Sequence, residues 1–247
     1  MYCIFLSDAH LKGRGDPNQK KLVSFLEDIT RDDCAVPEAL FLLGDIFDYW
    51  VSPGGFVDPA YVPLLNAVQK LSDKGVRLHY YLGNHDFFVK HTLGKICSGI
   101  EVTEDGTGIE LDGIRCFITH GDMIDYTDRK YRFLRWVLRS WPIRFLSDIL
   151  PAGVIRNIGA GLAERSRAVW TARRTLPESV IEEYIAEKSA QGFDVLITAH
   201  FHTPGIRDLA FGGRKITYIN TGNWFNDYSY VVLSDGRFEL KYYSGTV

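Results

Sequence analysis

Residues 80–86 read Tyr80-Tyr81-Leu82-Gly83-Asn84-His85-Asp86, an apolar and aromatic run that stops at a glycine and continues into three polar side chains. An apolar run that ends in this way predicts a buried strand. Open α/β folds keep their functional sites at the carboxyl edge of the sheet, where Asn84, His85 and Asp86 would lie. The segment therefore predicts a strand that delivers ligand-capable groups to one edge of a sheet.

Four other segments repeat this pattern, each with a mostly apolar run followed by Asp or His. They are 2–6 followed by Ser7-Asp8-Ala9-His10, 39–43 followed by Gly44-Asp45-Ile46-Phe47-Asp48, 115–119 followed by His120-Gly121-Asp122, and 195–198 followed by Ala199-His200-Phe201-His202. Five strands with such endings predict a metal site where the strand ends meet.

The composition is that of a soluble globular protein, because 46% of the 247 residues are hydrophobic and 24% are charged. A net charge of −3 does not favour nucleic acid as a partner. The four cysteines lack paired zinc spacing, which indicates buried thiols in a reducing compartment. No signal peptide and no apolar run of about 18 residues is present, so we expect a cytoplasmic protein. No protein partner is predicted.

The order of the predicted elements indicates an α/β domain. Strand–helix–strand alternation runs to His85, with amphipathic helices at about 22–29 and 62–71, and 100–111 is turn-rich and extended. Residues 126–192 read as helical, and the chain then returns to strands at 215–220, 229–234 and 237–242, the last two joined by the hairpin dipeptide Asp235-Gly236. We predict one domain, 1–247, with a helical insertion at about 126–192.

Five of the seven histidines lie at predicted strand ends and are accompanied there by aspartate and asparagine. This group contains His10, His85, His120, His200 and His202 with Asp8, Asp45 and Asn84. Imidazole, carboxylate and amide ligands without cysteine suit Mn²⁺, Fe or Zn²⁺. The spacing leaves one ion or two open, but there are enough ligands for two ions that share a carboxylate. Two ions would favour in-line displacement at phosphorus, with a histidine as general acid.

The five strand-end blocks resemble, in order and in content, the signature blocks of the calcineurin-like metallophosphoesterases. The resemblance implies a four-layer αββα fold, in which a two-sheet β-sandwich is flanked by helices, and a dinuclear metal centre. It implies one ion held by Asp8, His10, Asp45 and His202, and a second held by Asp45, Asn84, His120 and His200. His85 matches the catalytic histidine of the family, whereas Asp48, Asp86 and Asp122 match supporting or structural positions. One departure is Ala199, where the family usually has glycine.

The predicted insertion combines many arginines with tryptophan, phenylalanine and leucine, and has few acidic residues. Arginine suits phosphate oxygens, and the apolar residues suit acyl chains or a bilayer interface, so the insertion could cap the site and bind a lipid. The lipid interpretation predicts a hydrophobic channel to the metals. In the alternative, its apolar face packs on the domain and its arginines are solvated.

Looser motifs resemble the UDP-2,3-diacylglucosamine hydrolases, a family of lipid A biosynthesis. These motifs are Asp128 and Tyr131 after the His120 block, Ala163-Glu164-Arg165-Ser166-Arg167, and the segment 218–224. The resemblance implies a lipid-linked nucleotide substrate cleaved to lipid X and UMP, two Mn²⁺ ions, and peripheral contact with the cytoplasmic face of the inner membrane. It makes Asn84, Asp128, Arg165 and Arg167 candidates for substrate binding.

Two other interpretations remain open at this point. The best-known branch of these hydrolases has arginine where this chain has His85, which leaves room for a phosphodiesterase or phosphomonoesterase that acts on a small soluble phosphoester. The second alternative is a non-catalytic scaffold on the same fold. It is disfavoured because all eight ligand and catalytic positions of the pattern are filled.

Overall fold

The computed structural model describes residues 1–13, 15–31, 35–48, 57–86, 93–94, 97–150, 154, 161 and 176–245. The first half of the chain alternates strands and helices: β1 (Cys3–Leu6), α1 (Pro17–Asp28), β2 (Ala39–Leu42), α2 (Val62–Asp73) and β3 (Arg77–Tyr81). Helix α1 begins at Pro17, earlier than the predicted bound of about 22, because the Asp16 side chain accepts a hydrogen bond from the Asn18 backbone and Pro17 occupies the first turn.

The second half adds the remaining strands and, within the segment predicted as an insertion, three described helices. Its elements are β4 (Glu101–Thr103), β5 (Thr107–Leu111), β6 (Ile114–Ile118), α3 (Arg129–Leu138), α4 (Trp141–Ile149), α5 (Glu178–Ala190), β7 (Val195–Thr198), β8 (Gly205–Phe211), β9 (Arg214–Asn220), β10 (Ser229–Ser234) and β11 (Arg237–Tyr242). All five strands that precede the predicted site residues are therefore confirmed.

These strands form two sheets. The first has the order β11-β10-β1-β2-β3-β4, and the second has the order β5-β6-β7-β9-β8. Strands β1 to β4 are parallel, as are β6, β7 and β9, so their carboxyl ends share an edge in each sheet. The extended segment 100–111 contributes to both sheets, because β4 pairs in the first sheet and β5 in the second.

Alternating side chains on each strand build the layers. On β1, Ile4 and Leu6 pack with α1 and α2, whereas Cys3 and Phe5 face the second sheet. Phe5 stacks on Phe41 between the sheets, with ring centroids 4.6 Å apart. Ile185 of α5 covers the outer face of the second sheet. The predicted four-layer αββα arrangement is confirmed.

One strand was missed by the sequence prediction, and one predicted hairpin is present. Strand β8 was not predicted, because most of its residues are exposed at the sheet edge and it lacks an apolar run. The Asp235-Gly236 hairpin is confirmed: β10 and β11 pair antiparallel, and both turn residues have positive φ, as a type I′ turn requires. Cys3, Cys97 and Cys116 are buried free thiols, and Cys34 lies outside the described residues.

Candidate metal centre

The predicted site residues meet at the common carboxyl edge of the two sheets. Strands β1, β2 and β3 of the first sheet lead to Asp8 and His10, to Asp45, and to Asn84 and His85. From the second sheet, β6 leads to His120, and β7 leads to His200 and His202. The parallel strand order thus explains why side chains up to 194 positions apart make contact.

Backbone conformation marks this edge as unusual. Among the described residues, eight other than glycine have positive φ, and five of these are predicted metal ligands: Asp8, His10, Asp45, His200 and His202. Positive φ is unfavourable for residues with a side chain, and residues in such conformations persist only where the surrounding structure holds them. The loops that carry the candidate ligands are therefore held in conformations that their own sequence does not favour.

Hydrogen bonds between neighbouring loops hold these conformations. The Asp8 N–H donates to the Gly44 carbonyl and the His10 N–H to the Asp45 carbonyl, each at 3.0 Å. The His200 N–H donates to Asp8 Oδ2 at 3.0 Å, and the His85 N–H to Asp45 Oδ1 at 2.8 Å. The loops that carry the candidate ligands therefore hold one another in place through these hydrogen bonds.

The ligand-capable atoms fall into three groups. Within each group, these atoms lie no more than 4.8 Å from one another. The groups are Asp8, His10 and His202; Asp45, His120 and His200; and His10, Asp48 and His85. The first two correspond to the two halves of the predicted centre, except that Asp45, predicted for both, is grouped with the second only. Asn84 Oδ1 lies 3.3 Å from His120 Nε2, beside the second group. Nitrogen and oxygen donors without sulfur, some buried and some half-buried, fit a divalent transition ion. His10 Nδ1 is buried and has no hydrogen-bond partner in the described chain.

Two histidines have their tautomers assigned by backbone carbonyls. His120 Nδ1 lies 2.6 Å from the Leu43 carbonyl and His85 Nδ1 lies 2.5 Å from the Asp48 carbonyl. A carbonyl oxygen only accepts, so each Nδ1 carries a hydrogen and donates it. Each ring consequently turns Nε2 toward Asp45 Oδ2, at 3.5 Å from His120 and 4.0 Å from His85. A hydrogen bond from the ring nitrogen that does not bind metal, such as Nδ1–H to a carbonyl here, usually orients a metal-binding imidazole.

Buried charges shift the pKa values of the site. Burial alone would raise the pKa of the two central carboxyls, but neighbouring histidines hold the pKa of Asp8 at about 2 and that of Asp45 well below its usual range. Burial would lower the pKa of His120, yet Asp45 raises it to about 10. Burial lowers the pKa of His10 to about 4, and burial with the neighbouring His120 lowers that of His200 to about 3. The last two imidazoles are therefore neutral at pH 7, as metal binding requires.

Asp86 and Asp48 lie directly beside the candidate ligands. The Asp86 carboxylate accepts hydrogen bonds from the backbone of Asp45 and Gly83 and from the Tyr80 hydroxyl, each at 2.9 Å. It therefore supports the Asp45 loop from behind. Asp48 lies closer to the site than a supporting position would require, because its carboxylate is grouped with His10 and His85.

The remaining predicted residues involve the insertion. Asp122 pairs with Arg135 of α3, and Asp128 is the N-cap of α3, where its side chain accepts from the Tyr131 N–H. Asp128 thus has a structural contact in addition to its predicted role in substrate binding. Arg165 and Arg167 lie outside the described residues.

Helices α3 and α4 have an arrangement that the sequence did not predict. Two arginines of this region point inward: Arg135 pairs with Asp122 and Asp105, and Arg139, at the end of α3, donates to two backbone carbonyls. The large apolar side chains are exposed instead, namely Phe133, Leu134 and Trp136 on α3 and Trp141, Phe145, Leu146 and Ile149 on α4. The expected packed apolar face is therefore wrong for these exposed side chains, and the expected solvation is wrong for Arg135 and Arg139.

A cavity of about 430 Å³ lies between the insertion and the second sheet, beside His120 and Asp122. Its walls combine charged and apolar side chains, including Arg135, Glu187 and Phe117. It is consequently not the wholly hydrophobic channel that the lipid interpretation predicted. Within the described part of the chain, no helix has the length and apolar character needed to cross a bilayer.

The loop after β9 supports the site in a way that the strand-end pattern did not indicate. The Trp224 N–H donates to the Asp8 carbonyl at 3.0 Å, and the Phe225 ring meets His10 and His202 edge-on, with centroids 5.5 and 5.1 Å apart. Phe225 carries no group that a metal or proton would bind, so no chemical signal in the sequence indicated it. Its place in the loop after β9, next to the segment 218–224, was the available clue.

The chain matches the calcineurin-like phosphoesterase family over residues 1–204. It belongs to this family and is a metal-dependent hydrolase.

Over nearly the full length, the chain is similar to proteins named UDP-2,3-diacylglucosamine hydrolase. The protein of Aliivibrio fischeri (strain MJ11) is 26% identical, with 97% of this chain and 98% of the relative covered. That of Xanthomonas axonopodis pv. citri (strain 306) is 30% identical, with 91% and 92% covered. Among solved structures, an archaeal phosphodiesterase superimposes with a TM-score of 0.52 at 15% identity, covering 98% of this chain and all of that one. The similarity to the archaeal phosphodiesterase concerns the fold alone.

Gly83→Ala should abolish metal binding while the protein still folds. A Cβ at position 83 would lie 2.1 Å from Asp45 Oδ1, so the Asp45 carboxylate would have to move. The measurement is Mn²⁺ titration of the metal-free protein followed by calorimetry, together with circular dichroism. Gly205→Ala is the control, because its added Cβ would meet nothing within 4 Å. Mn²⁺ binding by Gly83→Ala with wild-type affinity would contradict this account of Asp45.

Metal binding should release at least one proton at pH 7. The pKa of His120 is raised to about 10, so its proton is present at pH 7 and is lost only as the pH rises through that value. An ion bound at Nε2 must displace this proton, so the affinity should rise with pH, by up to about tenfold per unit for each proton released. The check is the heat of Mn²⁺ binding in buffers of different ionisation enthalpy. If the heat of binding does not depend on the buffer, no net proton is released and the prediction is wrong.

Proposed function

We propose that this protein hydrolyses the pyrophosphate bond of UDP-2,3-diacylglucosamine and releases UMP and lipid X. The observation that carries the proposal is similarity to hydrolases of this name over more than nine-tenths of both chains. The similarity extends beyond the metal-binding blocks, which the whole phosphoesterase family shares, and includes the insertion. The metal-binding blocks cannot distinguish one substrate from another within the family, so the substrate assignment depends on similarity in the rest of the chain.

We infer that two divalent ions bind at the strand ends, with Mn²⁺ as the proposed metal and Fe or Zn²⁺ as alternatives. Asp8, His10, Asp45 and His202 would hold one ion, and Asp45, Asn84, His120 and His200 the other. The grouping of Asp8, His10 and His202 apart from Asp45, His120 and His200 supports this division. Bound ions would polarise the phosphoryl group and lower the pKa of a bound water.

The residues of the chain would bind and orient the substrate and move the proton. We assign the proton donor to His85, because the Asp48 carbonyl fixes its Nδ1–H and leaves Nε2 facing the site. Protonated at Nε2, this ring would donate to the departing phosphate oxygen. Asp48, Asp86 and Asp122 would hold the surrounding loops. Asn84, Asp128, Arg165 and Arg167 remain the proposed substrate-binding residues.

The exposed apolar residues of α3 and α4 support a contact between the insertion and lipid. Trp136 and Trp141 are 69% and 78% exposed, and they lie on neighbouring helices. Tryptophan is favoured where an apolar surface meets polar headgroups. We therefore propose peripheral contact of this surface with the cytoplasmic face of the inner membrane, where a diacyl substrate would be found.

Product analysis tests the proposed substrate. Purified protein with added Mn²⁺ should convert UDP-2,3-diacylglucosamine to UMP and the acylated sugar phosphate, as detected by mass spectrometry. Bis-p-nitrophenyl phosphate and p-nitrophenyl phosphate serve as a small diester and a small monoester, and both should be turned over far more slowly. Turnover of these small esters without cleavage of the lipid nucleotide would favour the small-phosphoester alternative. Turnover of none of the three substrates would favour the scaffold alternative.

His85→Ala should lower the rate of cleavage by about 10²–10⁴-fold, the usual contribution of a proton donor or acceptor. Metal content, measured by elemental analysis, should stay at the wild-type level, because His85 is assigned no ion. The variant should lose less activity on bis-p-nitrophenyl phosphate, whose leaving group needs little protonation. If His85→Ala instead loses bound metal, His85 is a metal ligand and not the proton donor.

A further inference from the structure

Helix α3 is held on the domain by its polar side. Tyr131, Arg135 and Arg139 follow one another at intervals of four residues, so they share one face of the helix. Phe133 and Trp136, on other faces, are 65% and 69% exposed. Hydrogen bonds and ion pairs, rather than packing of its large apolar side chains, therefore fix the position of α3.

Arg135 connects this face to the loop that carries His120. Its Nε lies 3.1 Å from Asp122 Oδ2, and the Tyr131 hydroxyl donates to the same oxygen. Asp122 is almost completely buried and follows His120 by two residues. A buried charge pair at this distance restricts both partners, because either charge left alone would carry a desolvation penalty.

Arg139 connects the same helix to the loop that carries Asn84. One of its terminal nitrogens donates to the Gly83 carbonyl at 3.0 Å, and the other donates to the Glu104 carbonyl at 3.2 Å. The Gly83 carbonyl belongs to the peptide bond that leads into Asn84. Gly83 also packs so closely on Asp45 that even a Cβ would not fit. A shift of this peptide would therefore move Asn84, a ligand of one proposed ion only, and press on Asp45, which both ions would share.

Both contacts lead to the same half of the candidate centre. Asn84, His120 and His200 belong to that half alone, and Asp45 is shared by both halves. Asp8, His10 and His202 receive no hydrogen bond or ion pair from α3 in the described structure. The 430 Å³ cavity lies beside Asp122 and Arg135, so close packing there does not replace the polar contacts. The two arginines thus contact the loops that carry Asn84 and His120, both of which belong to the same half of the site.

We propose that Arg135 and Arg139 are positioning residues that couple the insertion to the metal ion of the Asn84–His120 half. The inference rests on the proposed function, because it requires a site for two ions. With α3 docked, the two arginines hold the Gly83 and Asp122 loops in the geometry that this ion needs. Coupling is reciprocal, so binding of this ion stabilises the docked position of α3.

Titration of the metal-free protein with Mn²⁺ tests the coupling, with Arg139→Met as the test variant. Wild-type protein should bind two ions. Arg139→Met should weaken one of them by about 10–100-fold, the usual effect of losing a group that orients a ligand, and weaken the other much less, because only Asp45 is shared. Arg129→Met is the matched control, because Arg129 lies on the same helix, has the same charge and is exposed. It should titrate like the wild type.

Amide hydrogen exchange supplies a second measurement that does not depend on activity. Mn²⁺ should slow exchange in α3 of the wild type and of Arg129→Met but not of Arg139→Met. Thermal unfolding of the metal-free variants checks the fold. If Arg139→Met does not fold, Arg139→Lys takes its place. Lysine has one donor group and cannot bridge both carbonyls as arginine does, so the same ion should be weakened to a smaller extent.

The outcomes separate the two proposals. A wild type that binds fewer than two ions would refute the proposed two-ion site itself. A wild type that binds two ions, with Arg139→Met unchanged, would overturn the coupling alone. Equal weakening of both ions, or equal effects of the Arg129 and Arg139 substitutions, would also overturn it, because the loss would then be general.

Discussion

The hydrogen bonds around Asp45 are the interactions on which the rest of the site depends. Its N–H donates to Asp86, its carbonyl accepts from His10, its Oδ1 accepts from the His85 N–H, and its Oδ2 faces His120. Loops from β1, β2, β3 and β6 thus meet at one residue. Because Asp45 is buried and has positive φ, only these partners make its conformation and charge tolerable. The same constraint leaves no room for a side chain at position 83.

The insertion shows how one helix can serve two purposes when its polar side faces the domain. The inward arginines of α3 bind the Gly83 and Asp122 loops, whereas Phe133 and Trp136 remain exposed. Exposed apolar groups of this size support the proposed contact of this surface with lipid. A lipid contact on the outside and a metal-bearing loop on the inside would then be connected through a single helix.

This arrangement also changes the interpretation of the arginines in the insertion. The sequence suggested that they either bind phosphate or are solvated. Arg135 and Arg139 do neither in the described structure, since their guanidinium groups pair with Asp105 and Asp122 and with the backbone carbonyls of Gly83 and Glu104. Substrate phosphate contacts in the insertion are therefore to be sought at other positions, of which Arg165 and Arg167 remain the predicted ones.

The sequence by itself determined the strands that carry the candidate ligands, because an apolar run followed by Asp, His or Asn is a local pattern that needs no partner to be recognised. The layered αββα arrangement was expected through family resemblance, and edge strand β8 was missed because exposed strands lack an apolar run. Only the tertiary structure decided which ligands share a group, which way α3 faces, and that Phe225 lies against His10 and His202. These features depend on contacts between residues far apart in the chain. The left-handed conformations at Asp8, Asp45 and His200 likewise exist only because neighbouring loops hold them.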